Sequence, residues 1–207
     1  SSNPWYDLPS IAAPNGTVDG ATLTVLPVTT TGSAPPTSFG YTWKRCSSTG
    51  GSCTTIPGAG DATYTLASLD VGSTIRATVT ATSSAGNAAA TSAPTGVVTA
   101  AAPVNTVVPT ITGSDTASVG VALSTDDGTW TGTTPMSFAH RWLRCDGTGG
   151  ACAPIANATG ASYSPVDADV GSTLRVEVTA NNGVGSAVTV QSAATEKVAS
   201  SVPANVD

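Results

Sequence analysis

Charge is scarce in this 207-residue chain. Asp, Glu, Lys and Arg make up 10% of it, against roughly 25% in an ordinary soluble protein. Only seven residues are Lys or Arg, scattered along the chain, and the net charge is −6. A phosphate backbone is held by clustered cations, so a nucleic-acid partner is disfavoured, and an anionic membrane surface with it. No apolar run approaches the roughly 18 residues of a spanning helix, which argues against membrane insertion. A single histidine and the absence of a nucleophile elbow leave little for an enzyme to work with. Aromatic residues are 5%, few for the flat platform that carbohydrate binding uses. An initiator Met is also missing: "SSNPWYDLP" reads as a mature product after leader removal, or as a cut piece.

Thr, Ser, Ala and Gly fill the space that charge has vacated, while hydrophobic residues reach only 40%. β-branched Thr tolerates an extended backbone and Gly tolerates tight corners, so short strands and turns are favoured. The strongest signal is a duplication. "WKRCSSTGGSC" begins at Trp43 and "WLRCDGTGGAC" at Trp142, an offset of 99 (142 − 43). Thr63 to Ala88 matches Ser162 to Ala187 at the same offset, and Pro9, Ile11 and Pro35 match Pro109, Ile111 and Pro135 at an offset of 100 (109 − 9). The boundaries expected from this register are a lead at 1–8, a domain at 9–99, a linker at 100–107, a domain at 108–199 and a tail at 200–207.

Each copy reads as β throughout. Ile75, Ala77, Val79 and Ala81 alternate with polar residues, as do Leu174, Val176, Val178 and Ala180, the pattern of a strand with one buried face. Phe39, Tyr41 and Trp43 share a face in one copy, and Phe138, His140 and Trp142 in the other. Seven or so strands in about 95 residues predict two tandem Greek-key β-sandwiches, an all-β fold. Cys46 and Cys53 enclose "SSTGGS", and Cys145 and Cys152 enclose "DGTGGA". Glycines let the chain reverse there, so each pair is expected to close a local disulfide across a hairpin mouth, unlike an antibody-type bridge between distant strands. Four cysteines in two equal pairs point to an oxidising compartment and hence to export.

The run W-x-R-C, a glycine-rich loop, a second Cys, then "DVGSTLRVEVTA" and a closing G-S-A strand resembles the Ig-like repeat domains of secreted and cell-surface proteins of actinobacteria and related bacteria. "GTWTG" at Gly128 to Gly132 fits the same repeat. The resemblance implies an extracellular stalk, spacer or assembly module without cofactors. The first copy departs from it, with "PVTTTG" where the second has "DDGTWTG".

Other candidates have ordinary readings. His140 aligns with Tyr41 and reads as a half-buried strand residue rather than a catalytic base. His140, Cys145 and Cys152 have a spacing suggestive of zinc, but the other copy carries the same cysteines with no histidine. Asp70 and Asp169, each opening "DVGST", are expected to bind their own turn backbone rather than calcium. Asp126 and Asp127 could join a cation site only with another loop's help. Asn15-Gly16-Thr17 and Asn157-Ala158-Thr159 match the glycosylation pattern by chance in a bacterial-type chain. Trp130 reads as semi-buried structure.

Trp5 and Tyr6, in the lead, read either as a packed lid on the first domain or as candidates for subunit contact, since aromatic anchors dominate interfaces. In the tail, Pro203 and Asn205 repeat Pro103 and Asn105 at an offset of 100. A chain whose tail imitates its own internal junction suggests head-to-tail contact, a heterologous interaction that grows a filament. The expectation is therefore a non-enzymatic extracellular filament subunit whose partner is a further copy of itself. The alternative is an adhesin, or a segment of a larger surface protein that binds a surface polysaccharide.

Overall fold

The computed structural model describes residues 8–26 and 35–201, and the chain divides into two compact units, 1–101 and 102–207. In the first unit, β1 (Ile11–Ala12), β2 (Thr22–Val25) and β5 (Thr63–Thr65) form one antiparallel sheet in the order β1-β2-β5. The second sheet runs β4-β3-β6-β7, from β3 (Ser38–Cys46), β4 (Thr54–Thr55), β6 (Thr74–Ser83) and β7 (Gly86–Thr91). The chain passes from β2 in one sheet to β3 in the other, returns for β5 and crosses again to β6. That exchange between sheets is the Greek-key wiring of an Ig-like sandwich.

Alternation explains why the sheets face each other. Ile75 and Ala77 are fully buried and Val79 nearly so, while Arg76, Thr78 and Thr80 lie on the outer face. They pack with Leu23 and Val25 from the opposite sheet and with Trp43. Outward threonines pair across strands, Thr78 with Thr91 at 2.8 Å between hydroxyls, so the outer face needs no charge to satisfy its polar groups. Between β1 and β2, Val18 forms an isolated parallel bridge with Thr99, and Asp19 N–H donates to the Thr99 carbonyl at 2.9 Å.

The second unit repeats this plan and adds to it. β9 (Ile111–Thr112), β10 (Leu123–Thr125) and β14 (Ser162–Tyr163) form the smaller sheet, ordered β14-β10-β9. β12 (Ser137–Cys145), β13 (Ala153–Pro154), β15 (Thr173–Asn181) and β16 (Val188–Gln191) form the larger, ordered β13-β12-β15-β16. Leu174, Val176, Val178 and Ala180 are fully buried, and Ser118 bridges Ala199 as Val18 bridges Thr99.

The addition is a two-stranded ribbon, β8 (Val104–Val107) against β11 (Thr129–Thr131). Val104–Val107 lie in the stretch 100–107 expected as a linker, and they form a strand. Their backbone groups are spoken for by β11, because the bulge between Thr129 and Trp130 turns that strand toward them. The positions of the first unit that align with β8 and β11 are 4–7 and 29–31, outside the described residues.

Candidate functional site

The repeated residues gather in two places in each unit. The first is a buried polar cluster. Alternation along β3 puts Arg45 on the inward face with Trp43, and an inward guanidinium calls for an acid. Asp70, fully buried in the 3-10 turn Ser68–Asp70, supplies it: Arg45 Nε donates to Asp70 Oδ1 at 2.7 Å. Its other oxygen accepts from the Tyr64 hydroxyl at 2.7 Å and from Ala67 N–H at 2.8 Å. Arg144, Asp169, Tyr163 and Val166 reproduce the arrangement at 2.6, 2.7 and 2.8 Å. Burial first, and donation to the carboxylate second, push the Tyr64 and Tyr163 hydroxyls up to about 12. The tyrosine rings lie 5.6 and 5.7 Å from the rings of Trp43 and Trp142, so the cluster is continuous with the core.

The sequence reading had Asp70 and Asp169 bind their own turns, which they do, but missed the arginine and tyrosine. A signal was available: Asp70 is the one acidic residue of the first copy that recurs in the second. Of the seven cations, four are the repeated Arg45/Arg144 and Arg76/Arg175.

The second place is the glycine-rich hairpin between β3 and β4. Lys44 opposes Thr55 and Arg45 opposes Thr54, so the register carries Cys46 opposite Cys53, and the two are joined with Cα atoms 3.9 Å apart. Cys145 and Cys152 are joined likewise. The loop is also bolted to the sheet: Thr74 Oγ1 donates to the Ser47 carbonyl at 2.8 Å, and Arg76 spans from the Gly50 carbonyl to the Ser92 carbonyl. Gly50 has φ +85°, and a Cβ there would sit 2.9 Å from Pro94 Cγ. In the second unit Asp146 orders its loop by accepting from Thr148 and Gly150, and these bonds hold its carboxyl below the usual range.

Replacing Cys46 and Cys53 by Ser is expected to lower the unfolding free energy of the first unit by about 2–3 kcal/mol, the loop-closure term for so short a ring. Urea unfolding with and without reductant checks this. Because Thr74 and Arg76 still hold the loop, the variant folds.

The polar groups named in these two places find their partners within their own unit. The ribbon of the second unit differs in kind. Trp130 packs its ring 6.0 Å from Phe138 and donates from Nε1 to the Asp127 carbonyl at 2.7 Å. His140 Nε2 lies 2.8 Å from Asp127 Oδ1, so the lone histidine holds the ribbon's approach to β12. Asp126 is used locally, accepting from Thr110 and Gly128, and those bonds lower its pKa.

Asn105 Nδ2 donates to the Val107 carbonyl at 2.8 Å and to the Thr129 carbonyl at 3.1 Å, bridging the two strands. Gly128 and Gly132 allow the close approach. A Cβ on Gly128 would strike the Val107 carbonyl, and one on Gly132 would lie 2.6 Å from the Ala102 carbonyl. "GTWTG" is thus the seat for the strand that precedes the domain.

Trp5, Tyr6, Pro203 and Asn205, the residues expected to make subunit contacts, lie outside the described residues, as does the divergent "PVTTTG" of the first copy. Asn15 and Asn157 are exposed. Among the described residues no three His, Cys, Asp or Glu side chains converge as a metal site would require, and no helix is long and apolar enough to cross a membrane. A shallow depression of about 360 Å³ beside the Cys145–Cys152 loop is lined by Thr148, Thr173, Glu196 and Lys197, among others.

No protein-family model matches the chain, and no curated protein matches it. Among solved structures it is similar to three N-terminal domains of the Highly Immunogenic Outer Capsid protein of bacteriophage RB49, with 19% identity over 93% of this chain and a TM-score of 0.33. It is similar also to the titin domains z1z2 in complex with telethonin, with 16% identity, 96% of each chain covered and a TM-score of 0.33. A third is a Ca2+-stabilized adhesin of an Antarctic bacterium that binds ice, with 16% identity over 95% of this chain and a TM-score of 0.31. The chain spans 59% of the phage chain and 50% of the adhesin chain. The Ig-like assignment made above rests on strand order and core, not on these likenesses.

Proposed function

We propose that this chain is a non-enzymatic structural protein of the cell exterior, of the actinobacterial Ig-like repeat type. It is a subunit of a surface filament that joins head to tail through its terminal segments, with Trp5 and Tyr6 at one end and Pro203 and Asn205 at the other. The observation that carries this reading is the β8–β11 ribbon. A strand lying before the second sandwich completes it, with Asn105 bridging to two carbonyls, and the Pro-x-Asn of that strand recurs in the tail as Pro203 and Asn205. Two disulfides closing short loops fit an oxidising exterior. Low charge leaves little repulsion between copies.

Negative-stain microscopy and mass photometry of the purified chain over a range of concentrations test the proposal. Linear particles that lengthen with concentration are expected. Single 20.2 kDa particles at every concentration overturn it, and affinity of such monomers for a surface polysaccharide would favour an adhesin instead.

A further inference from the structure

Two steps of this chain join an asparagine to a glycine, Asn15-Gly16 and Asn182-Gly183, and the fold treats them differently. Such a step is chemically labile, because glycine has no side chain to shield its nitrogen from the amide carbon of the preceding asparagine. Whether the two atoms can meet depends on what holds each of them.

At the first step little holds them. Gly16 N–H donates to the Ala13 carbonyl at 2.9 Å, closing a turn with Pro14 and Asn15 at its centre. Asn15 and Gly16 are both exposed, and the Asn15 side chain has no partner among the described residues. A Cβ placed on Gly16 would meet nothing within 4 Å, so the space around the glycine is open. One hydrogen bond has to break before the glycine nitrogen is free.

At the second step three bonds stand in the way. Asn182 is half-buried, and its Nδ2 donates to the Thr133 carbonyl at 2.8 Å. Its Oδ1 accepts from Val184 N–H at 3.1 Å, so the amide is held at both ends. Gly183 N–H, the nitrogen that would attack, donates to Asn181 Oδ1 at 2.8 Å. The amide carbon and the glycine nitrogen are each fixed on something else.

We propose that Asn15 is a site of spontaneous covalent modification in the folded chain, with water as the co-reactant, and that the fold protects Asn182 from the same reaction. The Gly16 backbone nitrogen gives up its proton and attacks Asn15 Cγ. A Cγ–N bond forms, the Cγ–Nδ2 bond breaks, and ammonia leaves with the proton. Water then opens the five-membered imide at either carbonyl, leaving an aspartate or an isoaspartate. Each event takes the net charge from −6 to −7 (−6 − 1). The isoaspartate also lengthens the backbone just before Thr17, whose carbonyl accepts from Thr99 N–H at 2.8 Å.

The test follows the peptides holding Asn15 and Asn182 by mass spectrometry, in the intact chain kept folded in mildly alkaline buffer and in the same chain unfolded by urea. Heavy-oxygen water labels the carboxyl formed during incubation and so separates it from any formed during digestion. In the folded chain Asn15 is expected to convert about tenfold faster than Asn182 or more, since two further hydrogen bonds must open at the latter. In urea the two rates should draw together, because neither amide is then held. Asn15→Gln enlarges the ring that the attack must close, and it is expected to remove the acidic shift that the folded chain acquires in isoelectric focusing.

Equal rates at the two residues in the folded chain overturn the protection of Asn182. An Asn15 that stays an amide in the folded chain overturns the site, whether or not it converts in urea. An acidic shift that persists undiminished in Asn15→Gln overturns it as well.

Discussion

Replacing Asp70 by Ala is expected to lower the unfolding free energy of the first unit by about 3–5 kcal/mol, and Asp169→Ala to do the same to the second. The carboxylate is fully buried and accepts from three donors: Arg45, the Tyr64 hydroxyl and Ala67 N–H. Removing it leaves a guanidinium without its counter-ion and two further donors without partners, each of which carries a desolvation penalty. Arg45→Met is expected to fall in the same range for the converse reason, since it leaves a buried carboxylate with neutral donors only. Tyr64→Phe removes one hydrogen bond and should cost about 1 kcal/mol. Urea unfolding of the single variants and of the Arg45/Asp70 pair measures the coupling directly.

A pH dependence follows from the same cluster. Tyr64 and Tyr163 hold their protons up to about 12 in the folded chain, against an ordinary value of 10.0. A proton held more tightly in the folded state stabilises it fully below the unfolded pKa, and the effect disappears as pH rises through the folded one. Stability should therefore decline between roughly pH 10 and 12, the window set by those two values. Unfolding measured across that range should lose most of the slope in a Tyr64→Phe/Tyr163→Phe chain, where no phenol is left in either cluster.

Trp43→Ala and Trp142→Ala are expected to remove about 3–5 kcal/mol each. Both indoles are fully buried and are the largest side chains in their cores, which otherwise consist of Ala, Val, Ile and Leu. The Tyr64 and Tyr163 rings beside them are tied by their hydroxyls to Asp70 and Asp169, which opposes their collapse into the void. The indole N–H groups add a second term. Trp43 Nε1 donates to the Asp61 carbonyl and Trp142 Nε1 to the Gly160 carbonyl, both at 2.9 Å, and alanine leaves those carbonyls without that donor. Thermal unfolding is the direct check. A domain of this size has roughly 5–15 kcal/mol in total, so either variant approaches the limit of folding at ambient temperature. Trp43→Phe separates the terms, because it keeps most of the volume and loses the hydrogen bond.

Much of this was legible along the chain. Period-two alternation at Ile75–Ala81 and Leu174–Ala180 dictates which faces are buried, because successive side chains of a strand point to opposite sides. Duplication divides the chain into two Ig-like units, and the cysteine spacing suits a bridge across a hairpin mouth. Alternation and cysteine spacing are set by residues within a dozen positions of one another, and the duplication is a match of one stretch of the string with another, so all three survive being read in one dimension.

What the tertiary structure decided is which distant residues meet. Arg45 and Asp70 are 25 positions apart, and His140 and Asp127 are 13 apart. Neither pairing is implied by spacing. The first arises because two segments share an inward face at one end of a sandwich, where a buried carboxylate must find its complement. The second arises where the loop before β11 comes within reach of β12. The strand at Val104–Val107 is the clearest case. Pro103 and Pro109 flank it as they would a connector, and its backbone is paired where the bulge in β11 and two glycines bring a second backbone within hydrogen-bonding reach. Segments without strong periodicity take their conformation from the partner that approaches them, and the partner's position is a property of the folded chain.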